Sequence, residues 1–190
     1  PSHPIPSHPI PSRRYAHLPE SIKAWLFKAK RLSQTLKSAH PKFQVTLLRQ
    51  GITDIESSEA ALLNCPTKHQ AWTREIYLKS HNEAVVYAKV IAPESTYQHL
   101  QQALDGLDQK PLGDTLLFDN PKVKRTQFHY SKISHDNPLY QPAFAMTKDK
   151  ELWARSSVFY WDHHPLLIIE VFMPGLPDFP KSMPTSKPTP

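Results

Sequence analysis

Cysteine and glycine are the scarce residues of this chain, and each scarcity removes a class of function. With a single cysteine, Cys65, among 190 residues, the chain can neither close an internal disulfide nor build a thiolate zinc cluster, which suits a reducing compartment. Its four glycines form no glycine-rich phosphate loop and no nucleophile elbow. No apolar run approaches the ~18 residues of a membrane span, and the first residues lack the charged, apolar and small-residue regions of a secretory signal. The cytoplasm is therefore the expected compartment, with no stable membrane insertion. A histidine pair at zincin spacing is also missing. His163-His164 falls in a turn, where both imidazoles are expected to face water.

Proline, by contrast, is abundant at 20 residues, and eleven of these fall in residues 1–12 and 174–190. Residues 1–12 repeat Pro-Ser-His-Pro-Ile twice and then Pro-Ser, a low-complexity pattern expected to form an extended, solvated arm. This divides the chain into an arm over 1–18, one domain over 19–174 and a proline-rich tail over 175–190. A core of that length suits a single domain, expected to be a monomer. The formal net charge of +6 favours anionic partners. No Lys/Arg run is longer than Arg13-Arg14, which argues against nucleic acid and for a small polyanionic ligand.

From Pro19 to Ser38, Ile22, Trp25, Leu26, Ala29, Leu32 and Leu36 follow helical spacing, predicting one helix. A second is expected from Ser95, its hydroxyl capping the start, with Tyr97, Leu100, Leu104 and Leu107 on one face. A short helical turn fits Leu112–Phe118. Six segments rich in β-branched and aromatic residues read as strands: 43–49, 73–80, 84–92, 124–134, 152–161 and 166–173. Two close pairs predict hairpins, turning at His81-Asn82-Glu83 and at Asp162-His163-His164-Pro165. The fold class is thus α+β, with a six-stranded, mainly antiparallel sheet and two principal helices.

The most informative residues interrupt the apolar pattern of these strands. Glu170 shares a face with Ile168 and Phe172, where a carboxylate needs a cation, hydrogen bonds or a raised pKa to offset several kcal/mol of desolvation. Arg74 likewise shares a face with Ile76 and Leu78. A two-residue turn pairing Ser80 with Glu83 sets Arg74 opposite Lys89, two cations on one face; a slip of one residue would instead separate them. The same counting in the second hairpin sets Ser157 opposite Glu170, with Arg155 two residues away. Arg74, Lys89, Arg155 and Glu170 among hydrophobes would suit a carboxylate ligand that also carries a hydroxyl. A metal or nucleotide is not required.

Trp72-Thr73-Arg74-Glu75-Ile76, Pro111-Leu112-Gly113, Leu152-Trp153-Ala154-Arg155-Ser156-Ser157, and Pro165 through Glu170 with Phe172 and Pro174 together resemble the chorismate pyruvate-lyases of bacterial ubiquinone biosynthesis. The ordered blocks run from about Trp25 to Pro174. The resemblance implies helical flap segments over an internal ligand pocket and cofactor-free removal of pyruvate from chorismate to leave 4-hydroxybenzoate. It implies that Arg74 binds the ring carboxylate and Glu170 contacts the ring hydroxyl, with main-chain contacts at Leu112 and Leu32. Leu32 stands where the family commonly carries methionine. Lys89 aligns with a family arginine that helps hold the second carboxylate, and lysine keeps that charge without the bidentate fork. Such a closed, flat pocket is expected to retain its product. The rival reading is a sensor of related fold that binds an aromatic carboxylate without turnover, expected to carry a DNA-binding segment in a longer chain.

Overall fold

The strand segments pair as their composition predicts. The computed structural model, which describes residues 15, 18–40, 42–65, 70–117 and 120–181, has a single antiparallel sheet. Its strands are β1 (Phe43–Asp54), β2 (Gln70–Ser80), β3 (Glu83–Pro93), β4 (Val123–Arg125), β5 (His129–Ser134), β6 (Glu151–Trp161) and β7 (His164–Phe172). They lie in the order β1-β2-β3-β7-β6-β4, with β5 also paired to β6. The expected fourth strand, 124–134, is two, β4 and β5, and Thr126 is the reason. Its N–H donates to the Val158 carbonyl and its hydroxyl accepts from the Val158 N–H, each at 2.9 Å, so a side chain closes the ladder between β4 and β5.

The first predicted helix is also divided, into α1 (Glu20–Lys28) and α2 (Leu32–Ala39). The apolar spacing runs unbroken through the division, because the break has a tertiary cause. Arg155, from β6, donates to the carbonyls of Trp25, Leu26 and Ala29, groups that a continuing helix would keep for itself. Trp25 and Leu26 are fully buried, each contributing on the order of 2 kcal/mol by removal of apolar surface from water.

Two short helices, α3 (Ser57–Leu62) and α5 (Gln141–Phe144), flank the longer α4 (Glu94–Asp105) in sequence. Helix α4 begins one residue earlier than expected and has no side-chain cap; Pro93 precedes it, its ring fixing φ at −55°. Ser95 does not cap. Instead the neighbouring Thr96 is fully buried and donates to the Pro165 carbonyl at 2.7 Å, fastening α4 to the start of β7. A π-helical turn, Gly113–Leu117, follows.

Helices α1, α2, α4 and this turn cover one face of the sheet, while α3 and α5 cover the other. Chain beyond the expected domain limits joins the first face: Trp25 donates to the Pro177 carbonyl and meets the Phe179 ring, and Tyr15 packs on Phe27 and Trp153. Residues 1–14 and 182–190, where the arm and tail were expected, lie outside the described residues.

Candidate functional site

Strand register decides which polar side chains share a face, and the two hairpins depart from expectation in different ways. At the first, Ser80 pairs with Glu83 across the left-handed residues His81 and Asn82, as predicted. Val85 then forms a bulge: Lys79 faces Ala84, but Leu78 faces Val86. Beyond it every β3 residue is displaced by one, so Arg74 lies opposite Val90 and Glu75 opposite Lys89. Lys89 therefore belongs to the other face from Arg74, correcting the pairing that counting produces. There it is buried and ion-paired to Glu59 at 2.7 Å. Nearby, Glu75 binds Arg49 and accepts from the Tyr87 hydroxyl. Burial and that bond push the Tyr87 phenol far above its ordinary range.

At the second hairpin the turn is Asp162-His163 alone, and His164 and Pro165 already pair with β6. The register differs from the expected one by two residues, a displacement that preserves the face. Arg155 thus stands directly opposite Glu170, and Ser157 opposite Ile168. Arg155 Nε donates to Glu170 Oε1 at 2.7 Å. Its Nη atoms donate to the carbonyls of Trp25, Leu26 and Ala29, and Arg155, 1% exposed, lies under Glu170 rather than on a cavity wall.

Between the α1–α2 link and the π-helical turn, this face carries a partly open cleft whose empty space, counted together with the solvent at its mouth, is about 570 Å³. Its apolar walls are Leu32, Ile76, Leu78, Ala88, Val90, Leu112, Leu117, Phe128, Phe159 and Ile168; Lys30, Ser33, Arg125, Ser157 and Glu170 supply polarity. Of the residues singled out from sequence, Leu32, Leu112 and Glu170 line it. Glu170 is less buried than its apolar neighbours imply, with 15% of its side chain exposed.

Arg74 sits on the same face beside the cavity. It is 1% exposed, and its guanidinium donates to the carbonyls of Asp108 (2.8 Å) and Lys110 (3.0 Å), holding the segment that leads into Pro111-Leu112-Gly113. Its Nε is buried without a hydrogen-bond partner among the described residues, which leaves one strong donor for an arriving anion. Burial pushes the guanidinium down from its ordinary range, and Asp108 draws it back up. Arg74 and Glu170 are two strands apart, about 10 Å across the sheet before their side chains reach inward.

Arg125 is a cavity residue that sequence reasoning missed. It lies in β4 and faces the Phe128 and Phe159 rings at 4.6 and 5.4 Å, and its Nη1 donates to the Lys30 carbonyl at 3.0 Å. The edge-strand alternation Val123-Lys124-Arg125 gives no apolar face to violate, so only the fold discloses its position. No helix among the described residues is long and apolar enough to cross a membrane.

Comparison with known proteins agrees with this arrangement. The family model described as chorismate lyase matches residues 10–180. A probable chorismate pyruvate-lyase of Thiobacillus denitrificans is 31% identical, with 83% of this chain and 85% of that protein aligned. Another, numbered 1, from Pseudomonas entomophila is 33% identical over the same shares. Among solved structures, the ligand-binding domain of a putative GntR-family transcriptional regulator from Bordetella bronchiseptica has a TM-score of 0.52 at 13% identity, covering 75% of this chain and 89% of that one. A GntR-family regulator from Bacillus cereus has a TM-score of 0.53 at 12% identity, covering 75% and 99%. These structural likenesses concern the fold alone. The family-model match spans nearly the whole chain and the sequence relatives are similar over most of it; the chain belongs to the chorismate lyase family.

Proposed function

We propose that this protein converts chorismate to 4-hydroxybenzoate and pyruvate without metal or cofactor, as the first step of ubiquinone biosynthesis, in the cytoplasm and as a monomer. The observation that carries the reading is the placement of Arg74 and Glu170 on one sheet face beside an apolar cavity. Arg74 meets the ring carboxylate, its unpartnered Nε supplying one donor and the guanidinium exchanging loop carbonyls for the ligand. Glu170, oriented by Arg155, accepts from the C4 hydroxyl. Main-chain groups at Leu32 and Leu112 bound the ring from the two covering segments.

The reaction removes a proton from C4 and breaks the C3–O bond, whose electron pair leaves with enolpyruvate; protonation of that fragment yields pyruvate. Aromatisation supplies the driving force, so positioning and exclusion of water are the protein's main tasks. Because Arg74 holds the 108–110 segment, binding at the carboxylate is coupled to the position of that flap, and release of a flat product limits turnover.

The test is to mix the purified chain with chorismate alone and follow 4-hydroxybenzoate and pyruvate, expected in equal amounts. Arg74→Ala should lower kcat/KM by at least about a thousand-fold, a loss of roughly 4 kcal/mol, while circular dichroism stays native. Near-normal turnover by that variant would sink the assignment. Binding without any turnover by the wild-type chain would replace the enzyme with a sensor.

A further inference from the structure

Chorismate carries two carboxylates, and Arg74 accounts for one. The other is on the enolpyruvyl ether at C3, the ring carbon next to the hydroxyl-bearing C4. Its binding group must therefore be a neighbour of Glu170 and lie away from Arg74. Lys89 is excluded by the bulge, which puts it on the opposite face in an ion pair with Glu59. Arg155 is a neighbour of Glu170, but it is 1% exposed, donates to that carboxylate and to the carbonyls of Trp25, Leu26 and Ala29, and does not line the cavity. Lys30 does line the cavity but is an exposed residue, its charge screened by water.

We infer that Arg125 is the group that receives the enolpyruvyl carboxylate, an inference that rests on the chorismate reading above. Arg125 lines the cavity with Glu170. It is half-buried, and two aromatic rings lie beside its guanidinium. Its hydrogen bond to the Lys30 carbonyl ties it to the link between α1 and α2, so a carboxylate bound there draws this link and β4 together over the reacting bond. A planar fork matches the carboxylate, and the Phe128 and Phe159 rings lie beside it.

The two carboxylates can be separated experimentally, because the product retains only the one assigned to Arg74. In Arg125→Gln, KM for chorismate should rise about ten- to a hundred-fold, while 4-hydroxybenzoate affinity stays within about three-fold of wild type, as one retained contact set implies. The retained product affinity also reports that the variant is folded. Arg125→Lys, which keeps the charge, should fall between wild type and Gln, and Lys124→Gln, at an exposed β4 position outside the cavity lining, should change neither constant by more than about three-fold. An unchanged chorismate KM in Arg125→Gln with an active wild type overturns the Arg125 assignment and leaves the chorismate reading standing. So does an equal loss of both ligands in both Arg125 variants, or a Lys124→Gln variant that raises KM as far as Arg125→Gln does. A wild-type chain that forms no 4-hydroxybenzoate overturns both.

Discussion

Lys89 and Arg125 show how differently two cations of one small protein can be employed. Lys89 is 6% exposed and neutralised by Glu59, itself 2% exposed. Truncating one partner strands a buried charge, so Lys89→Ala should destabilise folding by about 3–5 kcal/mol. The double variant Lys89→Met, Glu59→Leu should recover most of that loss, with chorismate KM little changed in both; urea unfolding and a kinetic assay decide. A substrate-binding lysine would give the reverse, a raised KM that the double variant cannot restore. Sequence made Glu170 and Arg74 legible because each violates an apolar face. Arg125 and the ion pair of Lys89 were hidden, the first by an edge strand that has no pattern to break, the second by a bulge with no sequence mark.

Among the elements, the two hairpins teach the same lesson with opposite outcomes. Counting from a turn placed Arg155 two residues from Glu170's partner and Lys89 opposite Arg74; the first error moves a side chain along its own face, the second moves it through the sheet. Alternation fixed which residues can share a face within a strand, but register between strands depends on turn length and bulges, which side-chain chemistry specifies weakly. The split of α1 from α2 was equally illegible, since the carbonyl acceptors of Arg155 come from the far end of the sequence. At α4 the docking contact is partly titratable. His164 stacks on His99 at 4.4 Å and abuts His163, and burial, then His163 and His99, push its imidazole below the ordinary 6.5, with Asp162 opposing. The folded chain thus favours the neutral ring: the contribution is full above about pH 6.5 and is lost as pH falls below it. The melting temperature should accordingly drop more between pH 7 and pH 5 in the wild type than in His164→Asn; equal drops would remove this contact from the pH response.

At the scale of the whole molecule, one sheet face forms the floor of the cavity, and the α1–α2 link and the segment leading into Pro111-Leu112-Gly113 cover it. Arg74 grips residues 108–110, and Leu47 N–H donates to Gln109 of the same segment. Saturating 4-hydroxybenzoate should slow amide hydrogen exchange in residues 106–113 and in the α1–α2 link by at least about ten-fold, with little change in β2, β3 and β7. Uniform slowing across the sheet would indicate global stabilisation without flap closure. The arginine at the root of this arrangement has a consequence for synthesis as well. Arg155 reaches carbonyls 126 to 130 residues earlier in the chain, and Trp25 reaches Pro177 across 152. On the ribosome, α1 is made early but cannot be capped or covered until the final hairpin emerges. Through most of translation the Trp25–Leu26 stripe therefore lacks the Phe172 and Phe179 side of its packing, and it is the part of the chain most exposed to aggregation before the last hairpin forms.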